Sequence, residues 1–583
     1  MGGRLKMKQR DYFIPKMFYR LMIPSVISSF GFALADMADA LVVGQKLGEV
    51  GLAAISLCLP VYMFINLFMD GLGIGGSVLF SQKLGEGNID RAQECFNRTW
   101  TAVLALGCFI GILVNVFTEP CLNLLGTKKT DGNVYYACRD YVKIIAGGAP
   151  LLMLNVVFAN FLRNDNNAGI ASAGFLIGNI TDIVLNIVLV IFCGLGTKGA
   201  ALSTVIGSAV ALAVYVPGII GKKSDVLKIK KFKLNIGETL YCFKTGFATS
   251  VRHLLQLVFF LVINRMLMAM NGESGVAVFD VVYNVSFFII YLCNGIAEAS
   301  QPLVSTFTGE NNEDDCKYIL KLSKIWAICL GAVVTALIVI NAERISLFFG
   351  IPKALISDSG TAVRIYCIGF AFLGLNIINE KYYQSKNLFL PPFLIVIMRE
   401  FVILVLCAVI FSQMGFGAIW FMYPMTEIAT YLIFKVICRF VVRENGMLDA
   451  GRIFRITLSG VDDMEDVLRR NGEFCKRWGA DTKREYAVTL VIEEICMSIM
   501  RNAIKDIPGG KIRITLLALE NGDFALNFLD NAVEFNPFSF VTGKIETEND
   551  FNIDEISMTM IKNKTKKLTY HKCGGFNSLA VYI

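Results

Sequence analysis

Two stretches of this sequence are copies of one passage: GLAAISLCLPVYMFINLFMDGLGIGGSVLFSQKLGEGNID at residues 51–90 and GVAVFDVVYNVSFFIIYLCNGIAEASQPLVSTFTGENNED at residues 275–314. An offset of 224 positions superimposes them and aligns identical residues along their whole length. Between the identities lie apolar runs of about twenty residues, long enough to cross a bilayer. A membrane unit repeated within one chain is typical of secondary transporters, whose substrate site lies between the repeats.

The composition supports a membrane protein with a soluble tail. The chain has 583 residues, of which 55% are hydrophobic and 18% are charged, too apolar for a soluble protein of this length. Apolar runs continue to about Arg443, and beyond Gly446 none is long enough to span a bilayer. We therefore expect an all-α polytopic protein with twelve transmembrane helices in two six-helix lobes, followed by a soluble α/β sandwich domain. The expected segments are a cytoplasmic N-terminal segment (1–15), a first lobe (16–221), a basic linker (222–236), a second lobe (237–445) and the soluble domain (450–583).

Lysine and arginine residues in the short loops predict the orientation of the spans. They cluster at the N-terminus, in the loop at 222–233 and after the last span at 435–443. The positive-inside rule places these three segments in the cytoplasm, so both termini are expected there, with the chain in the plasma or inner membrane. The predicted spans are approximately 17–43, 51–82, 93–118, 136–162, 169–193, 199–220, 237–270, 275–308, 317–341, 357–384, 389–411 and 416–440.

The remaining composition argues against other classes of partner. The net charge of +7 is not accompanied by a basic patch interleaved with aromatic residues, so no nucleic acid is expected. The 16 cysteines form no CxxC pair and have no histidine at metal-binding spacing, so they are expected to be buried thiols, with no metal site. The expected partners are the lipid bilayer and a small-molecule substrate.

Several motifs resemble those of one known family. The stretch from Asp39 to Gly48, which reads DALVVGQKLG, and the following Leu52-Ala53-Ala54 are similar to the first-helix signature of the MATE (multidrug and toxin extrusion) transporters. The resemblance covers about residues 15–440. Further motifs that resemble the family, in the same order, are Gly85-Glu86-Gly87-Asn88, Arg163-Asn164-Asp165, Gly199-Ala200-Ala201-Leu202-Ser203-Thr204 and Gln301-Pro302-Leu303-Val304-Ser305.

The resemblance implies a non-enzymatic antiporter that exports drugs or metabolites, often cationic and amphipathic, in exchange for H⁺ or Na⁺. In the family the first lobe carries a carboxylate site built from an Asp on helix one and an Asn/Asp pair on helix five. Asp39 fits the first position, with Asp36 one turn earlier. On helix five the chain has Asn179, Asp182 and Asn186, which read Asp-x-x-x-Asn where the family pattern is Asn-x-x-x-Asp.

General physical chemistry also favours these residues. An Asp at the centre of a membrane costs about 2.5–3.5 kcal/mol on insertion scales, so such residues are usually functional. Burial disfavours the ionised form of a carboxylic acid, which would let Asp39 or Asp182 bind and release a proton. The alternative is that each carboxylate only hydrogen-bonds a broken helix or a neighbouring Asn.

The second lobe has charged candidates but no clear motif. His253 is the only histidine of the membrane half, and imidazole changes charge near neutral pH; the alternative is a packed or interfacial side chain. The main charged candidates in its apolar spans are Asp280, Glu298 and Arg399. Further charged residues in these spans are Arg252, Arg265, Glu380, Glu400 and Glu427.

Residues 450–583 are similar to the GHKL ATPase fold, in the branch of the anti-sigma-factor kinases. The carrying motifs are LVIEEICMSIMRNA at 490–503, Asp530-Asn531-Ala532, and Gly575-Phe576-Asn577. The resemblance implies nucleotide-binding roles for Glu494, Ser498, Asp530 and Asn531. However, Ser498 stands where the family has a Mg²⁺-binding Asn, Ala532 replaces a glycine, and the expected glycine-rich lid reads Ile556-Ser557-Met558-Thr559.

These departures predict a degenerate, catalytically inactive domain that regulates the transporter and binds nucleotide weakly or docks a cytoplasmic partner. No cofactor is expected to be required. Two alternatives to the exporter remain at this stage. One is a flippase for lipid-linked oligosaccharides of the same superfamily, and the other is a membrane-tethered signalling protein with an active kinase tail.

Overall fold

The computed structural model describes residues 12–441 and 452–583, apart from 126, 128, 130, 131, 220–225, 230–234, 311, 350, 505–508, 520, 521 and 543–552. Within the helix that follows residue 13, the side chains of 36–41, 43–45, 47–50, 52, 53 and 56 are outside the description. The chain forms two compact units. A membrane unit contains Leu21–Lys83 and Ile89–Arg443, and a tail unit contains Met1–Arg20, Leu84–Asn88 and Glu444–Ile583.

Eleven helices of the described chain are long and apolar enough to cross a membrane, or twelve when a helix pair bent by 49° is counted as one span. The expected all-α polytopic fold is thus confirmed. We number the spans in chain order: span 1 Phe13–Ala35, span 2 Leu57–Gly85, span 3 Ile89–Val116, span 4 Asn133–Asn164, span 5 Ala168–Phe192, span 6 Thr197–Ile219, span 7 Ile236–Gly272, span 8 Ser274–Gly309, span 9 Glu313–Ile340, span 10 Lys353–Cys367 with Phe370–Ser385, span 11 Leu390–Ser412 and span 12 Ile419–Cys438.

Helical structure continues through some of the connections. Spans 1 and 2 lie in one helical run, Phe13–Gly85, and spans 7 and 8 lie in another, Ile236–Gly309, which is kinked at Asn271 and Gly272. Gly272 has φ of +62°, a left-handed conformation that glycine adopts without strain. Short helices, Thr118–Leu124 and Ala342–Phe348, follow spans 3 and 9.

Part of the repeated sequence has a capping role. Asn312 precedes span 9, and its side chain accepts a hydrogen bond from the Asp315 backbone N–H at 3.4 Å. A side chain of this kind satisfies a free N–H group of the first helical turn. Asn88, the equivalent residue of the first repeat, directly precedes span 3 at Ile89. The spans of the first lobe pack mainly on one another, as do those of the second lobe.

The tail unit contains a five-stranded antiparallel sheet in the order β1-β2-β3-β5-β4. Its elements are β1 Ile453–Leu458, α1 Met464–Arg477, α2 Thr482–Ile499, β2 Ile512–Ala518, β3 Phe524–Asp530, α3 Ile553–Lys564, β4 Lys567–Cys573 and β5 Phe576–Tyr582. Alternate residues such as Ile512, Ile514 and Leu516 point to one face of the sheet. They form a core with Val488, Ile492 and other apolar residues of the helices.

Candidate functional site

The backbones of spans 5 and 6 come into direct contact in the first lobe. A Cβ atom added at Gly207 would lie 2.7 Å from the Gly178 carbonyl oxygen and 3.1 Å from the Asp182 Cβ. Because neither glycine has a side chain, the two helix backbones can approach this closely. The contact holds Asp182 against span 6, within the membrane unit.

Asp182 is buried, with 8% of its surface exposed. Its Oδ1 accepts a hydrogen bond from the Thr204 hydroxyl of span 6 at 3.4 Å. Thr204 belongs to the Gly199–Thr204 motif, so the sequence motif supplies the partner of the carboxylate. Among the described side chains no lysine, arginine or histidine forms an ion pair with Asp182. The carboxylate is therefore buried without a fixed positive partner.

Two amides share the face of span 5 that carries Asp182, since they lie three residues before it and four residues after it. Asn186 is completely buried. Asn179 is half-buried, and its Nδ2 has no hydrogen-bond partner among the described residues. The structure thus brings together Asn179, Asp182 and Asn186. Asp36 and Asp39 lie in the helical run of span 1, but their side chains are outside the description.

Five largely buried charged side chains of the second lobe are paired with one another. Arg399 donates from Nε to Glu427 at 2.6 Å and from Nη1 to Glu400 at 2.8 Å. Arg252 forms an ion pair with Glu380, and its Nε lies 3.5 Å from Glu400 Oε1. These five side chains link spans 7, 10, 11 and 12 into one charge network. Arg399 and Glu400 lie in a π-helical turn of span 11, Met398–Val402, a geometry frequent at functional sites.

A small cavity of about 50 Å³ adjoins this network. Arg399, Glu400 and Glu427 line its polar side. Its apolar wall is largely aromatic and includes Phe259, Phe260, Tyr283, Tyr366 and Tyr423. Aromatic faces beside carboxylates attract organic cations.

The other second-lobe candidates occupy different environments. His253 Nε2 lies 3.0 Å from Asp70 Oδ2 of span 2, and Glu298 forms an ion pair with Arg163 of span 4 at 3.0 Å. Both pairs therefore join the two lobes. Asp280 is exposed, and none of these pairs includes it. Sequence reasoning missed Asp70, although an aspartate inside the apolar run of span 2 is itself a signal of function.

In the tail unit, Asp530 ends β3 and is buried. Its Oδ1 accepts hydrogen bonds from Asn577 Nδ2 at 2.8 Å and from the Ala532 N–H at 2.9 Å. Burial raises the pKa of Asp530 to about 6, and the two hydrogen bonds oppose that rise. Asn577, quoted in the sequence motif but not expected to bind Asp530, holds this carboxyl in place.

The remaining tail candidates make other contacts or are buried. Asn531 Oδ1 accepts from the Lys511 N–H at 2.6 Å and its Nδ2 donates to the Tyr12 hydroxyl at 2.9 Å. Ser498 is completely buried, and its hydroxyl has no hydrogen-bond partner in the described part of the chain. Glu494 is half-buried on the same helix.

Taken together, the spans, the two lobes and the buried polar groups define a multi-pass membrane transporter. The chain belongs to the MatE family, which matches residues 24–189 and 248–410, together more than half of the sequence. The match ends at residue 410, so family membership describes the membrane half. The resemblance of the membrane half to MATE transporters is confirmed.

Individual relatives agree with this family. The chain is 23% identical over 342 residues to the probable multidrug resistance protein YoeA of Bacillus subtilis, covering 56% of this chain and 72% of that protein. It is 24% identical over 387 residues to the multidrug export protein MepA of Staphylococcus haemolyticus, covering 64% of this chain and 84% of that protein.

Solved structures show the same fold. A MATE family transporter of the MOP superfamily in an outward-facing conformation matches with a TM-score of 0.67 and 23% identity, over 73% of this chain and 95% of that one. A MATE structure in a straight conformation matches with a TM-score of 0.68 and 22% identity, over 73% of this chain and 96% of that one.

Proposed function

We propose that this protein exports small amphipathic compounds, chiefly cations, in exchange for H⁺ or Na⁺ by alternating access. Relatives that share 23–24% of the aligned residues are named as multidrug resistance or export proteins. The two repeated lobes supply the architecture for alternating access, with a substrate path between them.

The observation that carries the proposal is the contrast between two sets of buried carboxylates. Glu380, Glu400 and Glu427 each contact an arginine, so their charges are already compensated. Asp182 has no such partner among the described side chains. A buried carboxylate without a fixed cation is costly unless it binds a proton, a metal cation or a cationic substrate. We therefore place the ion-coupling site at Asp182 and give the arginine network a structural role.

The side chains near Asp182 are compatible with either coupling ion. The Thr204 hydroxyl and the amides of Asn179 and Asn186 offer oxygen atoms, which alkali cations prefer. A carboxyl hydrogen-bonded to a hydroxyl is equally suited to hold a proton. Asp39, which the family resemblance assigns to the same site, and Asp36, one turn earlier in the sequence, complete the proposed set.

The aromatic wall of the second-lobe cavity supports a cationic substrate. Five aromatic side chains line it. Arg399, Glu400 and Glu427 at its polar end are paired with one another, so the attraction for a cation comes from the aromatic faces. An organic cation gains cation–π attraction of about 0.5–2 kcal/mol at such a wall. The volume of about 50 Å³ fits only part of a drug-sized molecule, so the substrate would extend towards the space between the lobes.

The tail unit is proposed to be a regulatory domain in the cytoplasm with a degenerate nucleotide site. Asp530 retains the geometry of a hydrogen-bonded buried carboxyl, but Ser498 is buried and lacks the carbonyl group of the asparagine that binds Mg²⁺ in the GHKL family. We expect the full chain to show no ATP turnover. Calorimetric titration with Mg²⁺-ATP beside a turnover assay tests this, and micromolar binding with turnover would contradict it.

Proteoliposomes test the transport proposal. Purified protein is reconstituted, and uptake of a fluorescent lipophilic cation is followed under an imposed pH gradient or an imposed Na⁺ gradient. One of the two gradients is expected to drive accumulation of the cation. This accumulation should be lost when an ionophore dissipates the gradient. Failure of both gradients to drive any accumulation would overturn the exporter proposal.

A further inference from the structure

One face of span 7 follows the first lobe for several turns. Its residues Glu238, Cys242, Gly246, Ser250 and His253 are spaced by four, four, four and three positions, so they lie on one side of the helix. We call this set the helix 7 stripe.

Each member of the stripe contacts span 2 or span 3. Glu238 forms an ion pair with Arg98 of span 3. Cβ atoms added at Gly75 and Gly246 would meet the Cys242 carbonyl and the Gly71 backbone, respectively. Ser250 donates to the Leu67 carbonyl at 2.6 Å. At the last position, His253 lies 3.0 Å from Asp70.

A second seam between the lobes repeats this arrangement. Gly295 of span 8 is the repeat equivalent of Gly71, and a Cβ atom there would lie 2.9 Å from Val26 Cα and 2.9 Å from the Ser29 hydroxyl of span 1. Val26 and Ser29 are in turn equivalent to Ser250 and His253 by the same offset. Glycine therefore brings the lobes together in both seams, but the acid–histidine pair exists only in the seam of the helix 7 stripe.

One hydrogen bond marks the axis that relates the two lobes. Gln301 Nε2 donates to Ser77 Oγ at 3.0 Å, and these residues are 224 positions apart. They are thus the same position of the two repeats, and two equivalent residues can meet only near the pseudo-two-fold axis of a parallel repeat. The two seams flank this axis, at the end of the membrane unit where span 2 ends and span 7 begins.

We propose that the helix 7 stripe and its partners on spans 2 and 3 form the gate at this end of the transport path, with the Arg98–Glu238 and Asp70–His253 pairs as its latches. The inference rests on the proposed transport function, because alternating access requires the lobes to part at this end. The glycine contacts bury little side-chain surface, and the Phe68 and Phe243 rings, with centroids 5.9 Å apart, add apolar packing beside them. The latch groups are charged or polar and can be hydrated when the gate opens, which allows both states to be populated.

The native Cys242 reports on the gate, since it is 1% exposed in the closed seam. Trypsin cleavage after Lys233 and Lys244 yields a peptide, 234–244, in which Cys242 is the only cysteine. The full-length protein in nanodiscs is treated with a hydrophilic maleimide, and alkylation of this peptide is followed by mass spectrometry. The Gly75→Ala variant cannot close the seam without displacing backbone, so the alkylation rate is expected to rise by about tenfold.

Two further variants make the test decisive. The Asp70→Asn/Glu238→Gln double variant keeps side-chain size but weakens both latches, and it is also expected to alkylate faster than wild type. Gly147→Ala serves as the control, because an added Cβ there meets only Asn115 Nδ2 at 3.9 Å, and wild-type alkylation is expected. If Cys242 is alkylated at the wild-type rate in both the double variant and Gly75→Ala, the gate proposal is overturned. Alkylation needs no transport, so loss of efflux with the expected alkylation pattern would count against the transport function alone.

Discussion

At the scale of single residues, Arg399 is a buried charge that forms ion pairs with both Glu400 and Glu427. Its removal would leave Glu400 and Glu427 buried with one positive partner fewer. Breaking a buried ion pair from one side typically costs about 3–5 kcal/mol. We expect Arg399→Met to lower the thermal unfolding midpoint of the detergent-solubilised protein strongly, or to prevent its recovery from the membrane.

Arg364 offers a matched control, because it pairs with Glu343 at 3.1 Å with both side chains about half exposed. Exposed pairs contribute about 1 kcal/mol or less, so Arg364→Ala should leave the midpoint almost unchanged. Equal effects of the two substitutions would contradict the structural role given to the Arg399 network.

Two titratable residues of the tail have opposite effects on how the stability of the fold changes with pH. Burial raises the pKa of Asp530 from 3.8 to about 6 and lowers the pKa of His571 from 6.5 to about 4. Between pH 4 and 6 the folded state holds an extra proton on Asp530, so acidification stabilises the fold through this group. The unfolded state holds the extra proton on His571, so acidification destabilises the fold through that group. Each contributes about 3 kcal/mol over the interval, and the two nearly cancel.

Single variants separate these opposing contributions. Calorimetry of the full chain should show that acidification from pH 6 to 4 lowers the tail's unfolding midpoint more in Asp530→Asn than in wild type. In His571→Gln the same acidification should raise the midpoint relative to wild type. Identical pH dependence in all three proteins would show that neither residue is buried as described.

At the scale of elements, the approach of spans 5 and 6 positions Asp182. A methyl group at Gly207 would lie 2.7 Å from the Gly178 carbonyl oxygen, so the helices must separate and the Thr204–Asp182 hydrogen bond must lengthen. Overpacking of this kind costs about 1–3 kcal/mol. We expect Gly207→Ala to remain folded but to lose most gradient-driven transport in proteoliposomes.

Gly169 of span 5 provides the comparison, since an added Cβ there has no atom of the described residues within 4 Å. Gly169→Ala should transport as wild type does. Wild-type transport by Gly207→Ala would show that the close approach of the helices is not required at the site.

The elements differ in how far sequence could predict them. The hairpin formed by Ile512–Ala518 and Phe524–Asp530 follows from the local sequence, because alternating apolar residues and a turn define it. The bend of span 10 and the π-helical turn at Met398–Val402 have no such local signal, since they depend on packing against neighbouring spans. Periodicity also fixes which face of a helix carries Arg252, but not that Glu380, 128 positions away, is its partner.

At the scale of the whole molecule, the internal repeat predicted more than the motifs did. It indicated two equivalent lobes, and the Ser77–Gln301 hydrogen bond joins equivalent residues of the two repeats. The repeat could not show which buried carboxylate lacks a counter-charge, because the repeats differ in charged residues. That distinction between Asp182 and the second-lobe glutamates emerged only from the three-dimensional pairing.

We expect Asp182 to couple transport to an ion gradient. The most direct measurement compares Asp182→Asn with Thr181→Val in proteoliposomes, with H⁺ and Na⁺ gradients imposed separately. Thr181 is the adjacent residue, and among the described residues its hydroxyl donates to its own helix, at the Ile177 carbonyl. We expect Asp182→Asn to be folded but to accumulate no substrate under either gradient, whereas Thr181→Val transports normally. Wild-type accumulation by Asp182→Asn would show that Asp182 does not couple transport to the gradient.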